Sequence, residues 1–431
     1  MNKVIYILLW SMPFTIPLAA QKREVTIEQC YELAKNNYPA IHQYKLIEET
    51  AAFNLANARR MYLPQVDVYA QGTYQSDVNT LPAPMKQSYE QAGLSVDGLN
   101  KDQYQIGLNL RQSIWDGGEI AAKRKVIRAQ KEVSIREIDE KMYALRDRIN
   151  ALYFGACMLK QRSDQNAQVY QLLSKHVKRM EAALKNGTAT RTQLDQLLAD
   201  RVANEQQQAE IDTSLRAYLH MLGVFIGKTI GIAELSLPKL TDVVGLQNNR
   251  PELHTFQALQ ALYTSQRKQV FADLKPKLSI FCNGYYGNPG LDMFESMLDA
   301  DWTCNYRVGV SIKWNLSALY THKDRLRILD RKQKQVTVQE DVFRFNTRLQ
   351  ETQEMQEVEK MRQILAKDDE LIQLRRRIRE TAEKQFKLGV IVASDLLREI
   401  TAESNAQRQQ IEHHVGLLSS IYKLKYTDNA Y

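Results

Sequence analysis

The chain is poor in the residues that staple, ligate or catalyse. Four cysteines in 431 residues cannot make a disulfide framework. Seven histidines are scattered, and no His/Cys/acid cluster has metal-ligand spacing. No phosphate-cradling glycine loop and no nucleophile motif occurs, so no metal, no cofactor and no enzymatic activity are expected. Helix breakers are missing over two long stretches. Between Gly118 and Lys185 there is no proline and one interior glycine, Gly155, and between Ala318 and Lys387 there is neither. Beyond the N-terminus, no apolar run approaches the ~20 residues of a membrane-spanning helix. Any contact with a membrane must then be made by strands. Charged residues make up 25% of the chain and the net charge is +8. The basic residues are interspersed among acidic and Gln-rich segments, and nucleic acid is not an expected partner.

What is present begins with an export signal. Lys3, the apolar stretch Val4 to Trp10 and the small-residue site Leu18-Ala19-Ala20 form a cleavable leader over residues 1–20. No cysteine stands at the cleavage point, so a lipid anchor is not expected. The rest of the chain is written twice. Asn36-Asn37-Tyr38-Pro39 recurs as Asn248-Asn249-Arg250-Pro251, 212 positions on, and Pro64, Gly72 and Tyr74 match Pro276, Gly284 and Tyr286 at the same offset. The offset then falls to 202, pairing Tyr104 with Tyr306, Gly107 with Gly309, Lys185 with Lys387 and Gly187 with Gly389. The expected repeats are 21–230 and 243–425, with 224–243 and 423–431 as connecting segments. A period this long is not a solenoid unit.

Each repeat reads as helix, strand, loop, strand, very long helix, turn, helix. A first helix is expected over 27–60. Val66, Val68, Ala70 and Tyr74 alternate with Gln65, Asp67, Gln71 and Thr73. After a loop over about 77–101, Tyr104, Ile106, Leu108 and Leu110 alternate with Gln105, Gly107, Asn109 and Arg111. The second repeat gives Leu278, Ile280, Cys282 and Tyr286, then Tyr306, Val308, Val310 and Ile312, against polar alternates. Four strands with one apolar and one polar face fit a membrane barrel. A sheet half-buried on a soluble core gives the same alternation.

The breaker-free stretches predict helices of nearly 70 residues, about 100 Å each. In the first, Ile138, Met142, Leu145, Ile149, Leu152, Ala156 and Leu159 step by four and three, and the phase runs on through Asn166, Tyr170, Leu173, Val177 and Met180. That is a coiled-coil seam. Leu194, Leu198, Val202, Ile211, Leu215, Leu219 and Leu222 form its partner stripe, and Val338, Val342, Phe345 and Leu349 start a similar seam in the second repeat. A membrane sheet must close on itself. Four strands are too few, and eight leave a barrel filled by side chains. Twelve strands from a cyclic trimer enclose a lumen. The expected fold is mainly α with a small β part: antiparallel coiled-coil helices forming an α-barrel, and four strands per chain in a 12-stranded transmembrane barrel.

In these features the chain resembles the outer-membrane efflux protein family, the TolC-like channel-tunnels. The resemblance is carried by the doubled Asn-x-Pro helix, the Leu63-Pro64 strand start and the Ile114-Trp115-Asp116-Gly117-Gly118 junction. The doubled tips Lys185-Asn186-Gly187 and Lys387-Leu388-Gly389 and the Asn288-Pro289-Gly290 loop complete it. It implies a homotrimer in the outer membrane that reaches into the periplasm, docks a periplasmic adaptor protein and so serves an inner-membrane pump. Such a duct exports toxic compounds or drugs; secreted polypeptide is an alternative cargo. An exported coiled-coil scaffold without a pore is the alternative of another class. The resemblance marks the tip turns Gly187, Thr188, Gly389 and Val390 as adaptor contacts. It puts the pore constriction at Asp395 and Arg398, with Gln193 and Gln196 as the first-repeat equivalents. The family has acids at both of the former positions, so Arg398 departs from its pattern. The tyrosine and arginine that tie the family's gate correspond to Phe386 and Ile391, which cannot make that link.

Other residues carry two readings each. Tyr74, Tyr104, Tyr286, Trp302, Tyr306 and Trp314 are candidate interfacial aromatics, or ordinary strand packing. Cys282 and Cys304 fall on one predicted hairpin and face one side; they could form a cross-strand disulfide or stay free. Arg375, Arg376, Arg377 and Arg379 read as a solvated helix face, or as a lumen face favouring anions. Ser394 reads as a helix N-cap with Asp395 in the first turn, and His413-His414 as a solvated face.

Overall fold

A computed structural model describes residues 25–96, 98–240 and 248–429. The expected leader over 1–20 and part of the 224–243 connection lie outside the described residues. The elements run α1 (Ile27–Asn37), α2 (His42–Arg60), β1 (Gln65–Tyr74), α3 (Ala83–Gln91), β2 (Asp102–Trp115), α4 (Glu119–Lys185) and α5 (Arg191–Ile226). The second repeat follows as α6 (Pro251–Ala272), β3 (Lys277–Asn288), α7 (Met293–Leu298), β4 (Thr303–Lys313), α8 (Ala318–Lys387) and α9 (Ala393–Asp428). The long helices α4 and α8 contain 67 and 70 residues, close to the breaker-free stretches.

Pro39 breaks the helix expected over 27–60. Its ring holds Tyr38 extended at ψ 128°, which ends α1, and a short 3-10 turn over Pro39–Ile41 leads into α2. In the second repeat Arg250 is likewise extended, and Pro251 occupies the first turn of α6, where its missing N–H costs nothing. The loops expected over 77–101 and after Asn288 each contain a short helix, α3 and α7.

The chain divides into two compact units, each drawing on both repeats. Of the described residues, those within 25–38, 142–248 and 348–429 form one, and those within 39–141 and 249–347 the other. In the first unit the predicted seam of α4 is buried at Met142, Leu145, Ile149, Ala156, Leu173, Val177 and Met180. Tyr170 is exposed and departs from it, as does Val202 in the α5 stripe. Residues off the seam add to the core: Tyr153, Phe154 and Cys157 are buried, as are Ile27, Cys30 and Ala34 of α1. Tyr153 Oη donates to Val25 O at 2.9 Å and to Ser236 O at 2.6 Å, fixing the connection after α5 to α4. Gly155 admits the Tyr218 ring, which occupies the position a Cβ would take. Asn166 and Asn204 form a buried polar layer, with Asn204 Nδ2 donating to Asn166 Oδ1 at 2.6 Å and Asn166 Nδ2 to Gln208 Oε1 at 2.9 Å.

In the second unit Val133 of α4 packs on Ala258 and Leu262 of α6. Phe256 meets Phe343 edge-on at 5.8 Å. The Val338, Val342 and Phe345 stripe of α8 finds no partner among the described residues: all three are exposed, as is Leu349 further along the helix.

Candidate functional site

The sheet is a four-stranded antiparallel meander in the order β1-β2-β3-β4. Its register puts Val68 beside Leu108, Ile106 beside Tyr286, Ile280 beside Val310 and Leu278 beside Ile312. All of these point to one face. A soluble sheet buries such a face; here Val68, Tyr306 and Ile312 are 74%, 77% and 74% exposed. The opposite face carries Asp67, Asn109, Asn283 and Arg307 in one cross-strand row, with Asn283 Nδ2 donating to Asn109 Oδ1. The outer edges of β1 and β4 have no strand partner among the described residues.

The glycines repeated in sequence are explained on this sheet. Tyr69 lies over its cross-strand neighbour Gly107, and Phe281 over Gly309, each ring filling the space of the missing side chain. On the apolar face Gly72 is paired with Tyr104 and Gly284 with Tyr306. Both repeats thus cover flat glycine positions with aromatic rings, which pins the register.

The candidate interfacial aromatics fall at the two ends of the strands. Tyr74, Tyr104, Tyr286, Trp302 and Tyr306 gather at the loop end. There Trp302 stacks on Tyr104 at 6.4 Å and contacts Tyr286 at 5.4 Å. Trp314 lies at the other end, its Nε1 donating to Leu274 O at 2.9 Å. Trp115, which the sequence marks only as part of the strand-to-helix junction, is exposed at that same end. Ten register steps separate Trp314 from Tyr286, about 33 Å along a strand and about 25 Å across a layer at barrel-strand tilt.

The register sets aside the proposed disulfide. Cys282 faces Val308 and Cys304 faces Tyr286. The two thiols are free, on one face but four residues apart, about 13 Å, beyond the ~7 Å reach of a disulfide.

The helix turns belong to the other unit, and both are built alike. Gly187 and Gly389 have φ of +69° and +72°. Thr188 N donates to Ala183 O at 2.9 Å and Gly187 N to Leu184 O at 3.1 Å, and Val390 N and Gly389 N repeat the pattern on Gln385 O and Phe386 O. This is a Schellman cap at the end of α4 and of α8. The helices that follow start differently. Thr190 and Gln193 form a reciprocal capping box, Gln193 Oε1 accepting from Thr190 N at 2.9 Å. The spacing Thr190-x-x-Gln193 was readable in the sequence. Ser394 is not the N-cap of α9: that position is Val392, without a side-chain bond. Asp395 stands in the first turn and pairs with Arg398 at 3.6 Å. Gln196 is exposed. Beneath the turns, Leu173, Val177, Met180, Leu194, Leu197, Ala393 and Leu397 form one apolar cluster.

The arginine run is not a solvated face throughout. Arg379 is largely buried and bonds Glu403 of α9, with Glu383 at 3.3 Å. Arg376 reaches Glu403 at 3.5 Å and Arg375 reaches Glu399 at 4.0 Å. Glu383 also meets the buried His176 of α4 at 3.1 Å. Burial lowers the His176 pKa, against the opposing pull of Glu383. Nothing in local spacing forecasts this network, since its members lie on three helices. His413 likewise is engaged, its Nδ1 2.8 Å from the buried carboxylate of Asp368. Among the described residues no group of three or more His, Cys, Asp or Glu could hold a metal ion, and no helix is long and apolar enough to cross a membrane.

The chain has the fold of outer-membrane channel proteins. It superposes on the outer membrane protein VceC of Vibrio cholerae with a TM-score of 0.66 at 16% identity, covering 93% of this chain and 95% of that one. The outer-membrane channel OprN gives 0.68 at 15%, with 93% and 89% covered, and the CmeC outer membrane channel of Campylobacter jejuni gives 0.62 at 14%, with 99% and 93% covered. At these identities the likeness defines the fold. No family model matches the chain, and no curated protein matches it by sequence.

Proposed function

We propose that this protein is the outer-membrane exit duct of a tripartite efflux system, a conduit and not a catalyst, exporting small toxic compounds. The observation that carries the reading is the sheet: one face bare and apolar, the other polar, with both edges open. Lipid satisfies the first face, water the second, and sister strands the edges. Closure around water calls for twelve strands, hence three copies. The exposed Val338, Val342 and Phe345 stripe on α8 supports helix packing between those copies as well. The likeness in fold to outer-membrane channels agrees with this.

The Schellman turns at Gly187-Thr188 and Gly389-Val390 are the proposed adaptor contacts. Leu388 and Val390 are 79% and 68% exposed there, an apolar edge suited to a protein partner. A constriction formed by Asp395 and Arg398, with Gln193 and Gln196, is proposed with muted charge. Asp395 is paired to Arg398, and the Gln193 carbonyl is committed to its helix cap.

The test is reconstitution of the purified protein in a planar bilayer, alongside its mass in detergent. Discrete conductance steps and a trimer are expected. A monomer in micelles, or an electrically silent bilayer, overturns the reading.

A further inference from the structure

We propose that the polar face of the sheet is an anion-selecting wall, so that the duct passes anions in preference to cations and favours organic anions as cargo. The proposal rests on the reading of that face as the lumen lining. Its charged members are Arg111, Lys277, Arg307 and Lys313 against a single acid, Asp67. Lys277 is taken up by Glu119 at the start of α4. Arg111, Arg307 and Lys313 are exposed and have no ion-pair partner among the described residues. Each chain thus offers three uncompensated cations to one anion, and three copies repeat the excess around the ring.

Fixed charge on a wall of low dielectric focuses its potential into the water it encloses and enriches the counter-ion there. Two of the three bases are arginines. Their planar guanidinium forks match carboxylate and phosphate oxygens. Phe281 and Tyr285 share the face with them and offer apolar surface to the carbon skeleton of an organic anion, which a bare inorganic ion lacks. Further acids stand at the loop end, where Asp77, Glu90, Asp292, Glu295, Asp299 and Asp301 lie outside the strands. Asp292 is already engaged there, accepting from Phe294 N and Glu295 N to cap α7.

The experiment is the reversal potential of the full-length trimer in a planar bilayer under a KCl gradient near 0.1 M, where the screening length is about 10 Å. A chloride-to-potassium permeability ratio of about 2 or more is expected. It should fall toward about 1 near 1 M salt, where screening shortens to about 3 Å. Arg111→Gln with Arg307→Gln should bring the ratio to about 1 or below, while Asp67→Asn should raise it. These positions are exposed and face water, so unit conductance and trimer mass serve as controls for folding. A cation-selective wild type overturns the proposal, because the acidic loop end then dominates. An anion preference that none of these substitutions moves overturns it too, because the filter then lies elsewhere. A protein without any conductance overturns the pore reading itself and this inference with it.

Discussion

Alanine at Gly187 or Gly389 tests the turn geometry most directly. A Cβ at either position meets nothing within 4 Å, so no steric clash contributes. The φ values of +69° and +72° are then the whole cost, about 1–2 kcal/mol for an L-residue. The strain is relieved by opening the cap, which releases the Thr188 N to Ala183 O bond of 2.9 Å and its counterpart from Val390 N to Gln385 O. Hydrogen exchange followed by mass spectrometry on the intact protein reads this opening. Protection of the cap amides should fall roughly 5–30-fold, and trypsin should cut faster after Lys185 and Lys387. Asparagine, which tolerates this conformation better, should lose less. The reasoning predicts a sign as well as a size. Where glycine has an ordinary negative φ, alanine stabilises by about 0.4–1 kcal/mol. Unchanged or increased protection in the alanine variants would refute the left-handed cap.

Three further outcomes are expected. His176 is buried and its pKa lies below the ordinary 6.5. Below about pH 6.5 the unfolded chain therefore binds more protons there than the folded one. Stability should fall as pH drops through that window, and His176→Gln, which can still bond Glu383, should flatten the Tm-versus-pH slope between about pH 7 and 5.5. Asn166→Ala removes one half of a buried pair and should cost about 1–3 kcal/mol by denaturant titration. Replacing Asn166 and Asn204 together by leucine should recover part of it, because neither amide of the pair is then left buried alone, while the half-buried Gln208 loses its Asn166 donor. Phe345→Glu puts a carboxylate on the exposed α8 stripe. Light scattering in detergent should then show loss of the trimer with helical circular dichroism unchanged, since burying that charge unpaired is strongly unfavourable.

Sequence alone determined what depends on periodicity and repetition. The ends of α4 and α8, the four strands and both glycine turns follow from spacing and from missing helix breakers, because these act locally on each stretch of backbone. The break at Pro39 follows the same local logic, because a proline holds the residue before it extended even inside an otherwise helical pattern. Tertiary structure decided which apolar stripes find partners within one chain. The Met142 to Met180 seam does, and the Val338 to Phe345 stripe does not among the described residues, although both step alike. Only register could separate Cys282 from Cys304, since their alternation is the same whether or not they meet. The His176, Glu383, Arg379 and Glu403 network joins the consecutive helices α8 and α9 to α4, with 207 positions between His176 and Glu383. Its charges are tolerated in the interior because helix packing brings opposite signs together, and no single segment carries that information.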